Sequence, residues 1–149
     1  MQKKVFVDTS TLIILSKISR LELLKLLYGF VYITIEVKIE FKLPLPNWII
    51  VDYTNFENRV NFGIGKGETS ILNLAIRNNN SLLIIDEFKA RKVASKLNLK
   101  FTGAIGILVI AKKQGYVQEI KSILDTIMKT DFRISPEVYY QALQIANEY

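Results

Sequence analysis

Short, continuous apolar runs alternate along this chain with stretches in which apolar residues recur every three or four positions. The first pattern reads as strand buried on both faces, the second as helix. Lys4–Val7 reads as a short buried strand. An apolar helix follows over residues 11–18, and a second, Leu-rich on one face, over 21–27. Residues 30–33 read as strand, and 49–51 as a short extended piece after the breakers Pro44 and Pro46. Gly67 opens a helix with Ile71, Leu72, Ala75 and Ile76 at helical spacing, stopped by Asn78-Asn79-Asn80. The apolar run 82–85 reads as a parallel strand. It is followed by a helix over 88–97, an extended piece at 100–101 and helices over 103–114 and 117–128 separated at Gly115. The last helix is the best marked: Ser135 as N-cap, Pro136 at the first helical position and Glu137 in the first turn. Strands alternating with helices predict an α/β fold, a parallel sheet with helices on both sides.

One segment resists this scheme. Ile33, Ile35, Val37, Ile39, Phe41, Leu43 and Leu45 alternate strictly with other residues. Period two is a strand signal, so pattern alone predicts one long strand here. In either conformation Glu36 and Glu40 share a face, because a spacing of four suits both periods. No repeat, low-complexity tract or dividing linker appears, which predicts a single domain over residues 1–149. The richest apolar stretch, from Leu23 to Val37, is broken by Lys25 and Glu36. No uncharged run approaches the roughly 18 residues a membrane span needs. The opening Met1-Gln2-Lys3-Lys4 runs into a short apolar segment and then Asp8, which is not a signal-peptide pattern. The expectation is a cytoplasmic protein with no membrane partner.

Half of the residues are hydrophobic, with 7 Gly and 3 Pro, as in a compact globular chain rather than a disordered one. The absences change the picture more. There is no Cys and no His, which excludes disulfides, thiolate nucleophiles, Ser-His-Asp triads, ordinary zinc sites and imidazole acid–base chemistry. Asp, Glu, Lys, Tyr, Ser and Thr remain. Such a set suits metal-assisted chemistry on oxygen ligands, with Mg²⁺ or Mn²⁺. The net charge of +6 favours a polyanionic partner, RNA or DNA first. A generally Lys-rich solvated surface accounts for the charge equally well.

Asp8 ends the first strand, and Asp86 ends a later one in Leu83-Ile84-Ile85-Asp86-Glu87. Ligand sites of open parallel sheets lie just past the carboxyl ends of strands, so two such acids can face one crevice. Either alone is more often just an N-cap. Glu68, in a first helical turn, complements the helix dipole whatever else it does. Glu40 has only a solvated position beside Lys38 and Lys42 as its alternative. Gly63-Ile64-Gly65-Lys66-Gly67 is not a P-loop: Gly67 stands where Ser or Thr is needed, and Val60 where the first glycine is needed. It also lacks the third glycine of a dinucleotide fingerprint and reads as a flexible loop. Asp8-Thr9-Ser10 lacks the second Asp of an aspartyl-phosphate hydrolase.

Together these motifs resemble the PIN domains, the nuclease fold of VapC-type toxins. Asp8-Thr9-Ser10-Thr11-Leu12-Ile13 after a strand is similar to the family's opening. The second acid falls on Glu40 in Val37-Lys38-Ile39-Glu40-Phe41, and the third on Glu68 in Gly67-Glu68-Thr69-Ser70. The fourth falls on Asp86 or Glu87. Gly67-Glu68, the Asp86-Glu87 pair with Arg91, and Phe132-Arg133-Ile134-Ser135 are similar to a branch of predicted PIN-type nucleic-acid-binding proteins. The resemblance implies a three-layer α/β/α fold with a central parallel sheet of about four to five strands. It also implies a helix over 35–42 in place of the long strand, consistent with Pro44 and Pro46, which end any interior strand there. Many PIN domains have Asp where this chain has Glu68.

The implied activity is Mg²⁺- or Mn²⁺-dependent endoribonuclease chemistry, with Asp8, Glu40, Glu68 and Asp86 as catalytic ligands and Glu87 as a further metal candidate. Its products would carry 5′-phosphate and 3′-hydroxyl ends. Ser10 is a candidate to hold an acid or a water, or is simply a helix N-terminal residue. Arg91, Lys92, Lys112 and Lys113 are candidates to guide the RNA backbone, or form solvated helix faces. VapC resemblance further implies the toxin role in a type II toxin–antitoxin pair, with a small antitoxin protein as partner. Tyr139 and Tyr140 read as a core-and-rim pair on the last helix, with a homodimer interface as the alternative. The rival functions are a non-catalytic module that binds nucleic acid or a partner, and a metal-dependent phosphatase acting on small molecules.

Overall fold

The computed structural model describes residues 3–55 and 58–149. Met1 and Gln2, part of the opening segment read above, lie outside them. The described elements run β1 (Lys4–Val7), α1 (Thr9–Lys17), α2 (Glu22–Tyr28), β2 (Val31–Thr34), α3 (Ile35–Phe41), β3 (Ile49–Asp52) and α4 (Lys66–Ile76). Then come β4 (Ser81–Ile84), α5 (Phe88–Lys96), β5 (Phe101–Thr102), α6 (Ala104–Lys113), α7 (Lys121–Met128) and α8 (Pro136–Ile145). All strand pairings are parallel, in the order β3-β2-β1-β4-β5. In register, Phe6 lies between Tyr32 and Leu83.

The strands are short and apolar because both sheet faces are covered. Phe6, Val7, Ile33, Leu83 and Ile84 are buried from both sides. Helices α1, α2 and α6 pack together in one layer, while α4 and α5 pack together in the other. That division follows from right-handed crossovers: the chain moves outward from β1 through β2 to β3, then returns across the sheet to β4 and β5. Strands β1 and β4 therefore meet where the winding direction reverses. A crevice opens at such a place beyond the carboxyl ends of the strands, and Asp8 and Asp86 sit there.

The alternating segment is helical, as the family resemblance implies and the bare pattern does not. Val37 and Phe41, one helical turn apart, are buried, whereas Ile39 and Leu43 are 65% and 52% exposed. Period two is thus not the period of burial. Thr34 fixes the start of α3 by accepting from the Val37 amide at 3.1 Å. Its hydroxyl also shares a buried 2.7 Å hydrogen bond with Ser70 of α4, which locks the two helices together.

The helix expected over 117–128 starts later, at Lys121. No local side chain caps it. Instead Glu148, beyond the last helix, accepts from the amides of Ile120 and Lys121 at 2.7 and 2.9 Å. The anticipated Ser135 cap and Pro136 are present on α8.

Candidate active site

Asp8 has an extended backbone between β1 and α1, and its Oδ1 accepts from the Thr11 amide at 2.8 Å. It is an N-cap, as its position suggested. It is also more than that, because its Oδ2 accepts from the Asp86 amide at 2.9 Å. One carboxylate thus clamps the ends of β1 and β4 across the switch point. Only 1% of Asp8 is exposed.

Asp86 is held from the opposite side. Its Oδ2 accepts from the Thr11 hydroxyl at 2.6 Å, and both its oxygens lie within 3.1 Å of the Ala104 amide at the start of α6. A helix N-terminus is a favourable place for that charge. Thr11 therefore gives its amide to one acid and its hydroxyl to the other. A Cβ at Gly103 would collide with Asp86 Oδ1, so this close seat against α6 requires a residue without a side chain. Glu87 is used differently, as the cap of α5, where it accepts from the Ala90 amide at 2.8 Å.

A second carboxylate pair stands on α3 and α4. Glu40, on the last turn of α3, accepts from the Thr9 hydroxyl at 2.5 Å. Glu68 lies in the first turn of α4. A Cβ on Gly67 would collide with Glu40, and one on Gly65 would come within 2.5 Å of Glu68 Oε2. The glycines of the Gly65-Lys66-Gly67 stretch therefore let two helices bring their acids close. Gly65 itself is the N-cap residue of α4 rather than part of a free loop.

Charge is poorly compensated at this crevice. The Asp8 carboxyl is raised from its ordinary 3.8 to about 7, first by burial and then by repulsion from Asp86. Asp86 is raised by burial, with the Thr11 and Ala104 hydrogen bonds and the charge of Arg91 pulling the other way. Glu68 is raised by burial, its own amide opposing, with Glu40 and Glu87 adding repulsion. Among the described residues, the close ion pairs all lie elsewhere: Lys17–Asp131, Arg59–Glu36, Lys112–Glu148 and Lys121–Asp125.

All-carboxylate oxygens short of countercharge are the donor chemistry of a hard divalent cation. In placement they form two pairs. Among the described residues no three carboxylates converge to ion-holding distance. Asp8 and Asp86 are fixed, and Glu40 is an exposed side chain held by the Thr9 hydroxyl.

The other expected residues separate. Successive helical residues point about 100° apart, so three consecutive hydroxyls cannot serve one site. Thr9 and Thr11 reach the acids, whereas Ser10 lines a cleft with Ile13, Lys17, Asp131 and Phe132. Arg91 is exposed and lies over the Phe101 ring at 5.2 Å, on the crevice side near Asp86. Lys92 lies over Phe88 at 5.5 Å. Lys112 does not stand as a free cation, because Glu148 binds it at 2.9 Å. It and the exposed Lys113 end α6, about 12 Å along the helix axis from Ala104 beside Asp86, away from the crevice. From sequence, Thr9, Thr11 and Gly103 have no role at the site, and Gly65 and Gly67 read as parts of a loop and a helix start rather than as seats for the acids. Only a knowledge of which helices meet would single them out.

The sequence matches the family described as PIN domain over residues 4–148. Neither a curated protein nor a solved structure matches the chain.

Proposed function

Since the chain belongs to the PIN-domain family, with its nuclease-type fold, we propose that it is a Mg²⁺- or Mn²⁺-dependent endoribonuclease. The observation that carries this reading is the Asp8–Asp86 pair at the switch point, where Asp8 is buried, hydrogen-bonded to the Asp86 amide and raised to about 7 by burial and by repulsion from Asp86. Asp8, Glu40, Glu68 and Asp86 would hold the cation. Bound there, it supplies positive charge to the phosphodiester and lowers the pKa of water. Thr11 orients Asp86, and Thr9 orients Glu40, so that neither acid needs to reorganise as charge develops. Asp86 rather than Glu87 is the fourth acid on this reading, since Asp86 stands beside Asp8 at the switch point, whereas Glu87 caps α5. Arg91, exposed near Asp86, would guide the RNA backbone, with Lys92 of the same helix as a further candidate, and hydrolysis leaves 5′-phosphate and 3′-hydroxyl ends.

On the same reading the protein is the toxin of a toxin–antitoxin pair and works in the cytoplasm, and an antitoxin segment covers the acidic crevice. Among the described residues no helix is long and apolar enough to cross a membrane.

A non-catalytic RNA-binding module is the second reading, favoured by the failure of any three acids to converge. Cleavage of a fluorescent single-stranded RNA with and without Mn²⁺ separates the two. The nuclease reading expects Mn²⁺-dependent cutting that Asp8→Asn and Asp86→Asn abolish. Binding without cutting at any Mn²⁺ concentration would overturn it.

A further inference from the structure

Glu36 stands one helical turn before Glu40 on α3. Its Oε2 accepts from Arg59 Nη1 at 2.6 Å, while its Oε1 is buried with no hydrogen-bond partner among the described residues. Buried acceptors are almost always satisfied, so this one is a place where a donor belongs. Glu36 and Arg59 line a cleft of about 420 Å³ with Asn61, Ile64, Lys66 and Thr69, a volume suited to a small ligand or one nucleotide. The loop wall of this cleft is built rather than incidental. Asn73, fully buried on α4, accepts from the Val60 amide and donates to the Val60 carbonyl at 2.9 and 3.0 Å. Arg77 donates to the Asn58 carbonyl at 2.9 Å. The cleft also adjoins the acids through both helices, since Glu36 precedes Glu40 on α3 and Lys66 precedes Glu68 on α4.

The geometry points to a base-reading subsite that takes one unpaired nucleotide beside the scissile phosphate, an inference that rests on the endoribonuclease reading above. A turn of the Glu36 side chain, which is 20% exposed, brings Oε1 to a base N–H, Arg59 holds Oε2 in place, Lys66 faces the phosphate, and Ile64 supplies an apolar wall. Sequence-specific RNA recognition works this way, on splayed bases through their Watson–Crick edges. Guanine is the preferred occupant. Its N1–H and N2–H lie side by side on that edge, so the one oxygen that Arg59 leaves free can accept both.

The test uses the full chain with Mn²⁺ and four labelled single-stranded uridine octamers that differ only in one internal base, G, A, C or U. Wild type should cut beside G with kcat/KM about tenfold above the other three, the scale of a bidentate base contact. Inosine in place of guanosine, which removes the N2 amino group and leaves the protein untouched, should erase most of that preference. Glu36→Gln, which keeps the shape but replaces one acceptor with a donor, should bring G to within about twofold of the other bases. Cutting with no preference for G, or a preference that survives both inosine and Glu36→Gln, overturns the subsite and leaves the nuclease reading standing. No cutting of any octamer by wild type overturns both.

Discussion

Asp8→Asn tests the electrostatics of the crevice through stability alone. The wild-type carboxyl titrates near 7 in the folded chain, against 3.8 as its ordinary value. Between those pH values the folded state holds a proton that the unfolded state has released. Stability therefore falls as pH rises from about 4 to about 7 and then levels off. At 1.36 kcal/mol per unit, this loss comes to about 4 kcal/mol at pH 8, with burial as its main cause and repulsion from Asp86 as the second. Asparagine keeps the cap to the Thr11 amide and removes the charge. Its amide group meets the Asp86 N–H donor to donor, which costs about 1–3 kcal/mol. In the absence of metal the variant should be less stable than wild type by about 1–3 kcal/mol at pH 4, and more stable by a similar amount at pH 8. Urea unfolding in EDTA, followed by the fluorescence of Trp48, the single Trp, measures both curves. Parallel curves from pH 4 to 8 would refute the reasoning, because they would mean that Asp8 carries no charge-dependent penalty.

Other substitutions separate the site from the scaffold. Gly103→Ala places a methyl group against Asp86 Oδ1 and should cost about 1–3 kcal/mol in stability; Mn²⁺-dependent RNA cleavage should drop tenfold or more, and a wild-type rate would free Asp86 from its role. Thr9→Val removes the hydroxyl that holds the exposed Glu40. Urea unfolding should change by no more than about 0.5 kcal/mol, whereas calorimetric Mn²⁺ affinity should weaken by about tenfold. Glu148→Ala strips the amides of Ile120 and Lys121 and the ammonium of Lys112 of their acceptor. It should lower stability by about 2 kcal/mol while leaving the cleavage rate per folded molecule unchanged.

Local signals in the sequence are enough to find Asp8 and Asp86, since each follows a short apolar strand and open parallel sheets bind ligands there. They are not enough to show that Asp8 also binds the Asp86 amide, a contact across 78 positions that depends on which strands are neighbours. The α3 segment misleads for a physical reason: its apolar residues outnumber its buried ones, so exposed Ile39 and Leu43 imitate a strand rhythm. Pattern counts apolar positions, whereas burial is decided by what packs against them. Helix α7 is shorter than its sequence suggests because its cap comes from Glu148, which no window around Ile120 contains. The same residue takes Lys112 out of the set of free cations. Gly65 and Gly67 look like a failed phosphate loop. Their spacing instead reflects the approach of two glutamates on different helices.

The claim on which the rest depends is that these acids form one cation site. It is tested most directly by the stability that Mn²⁺ confers on wild type, Asp8→Asn and Asp86→Asn at fixed pH, with Na⁺ at equal ionic strength as the control. A cation that binds only the folded state should add about 2.7 kcal/mol to wild type at a hundredfold excess over its dissociation constant. Either substitution should remove most of that gain, and Na⁺ should reproduce little of it. Equal Mn²⁺ gains in all three proteins would contradict the account, leaving Asp8 a structural clamp between two strands and Asp86 a half-buried acid seated on a helix.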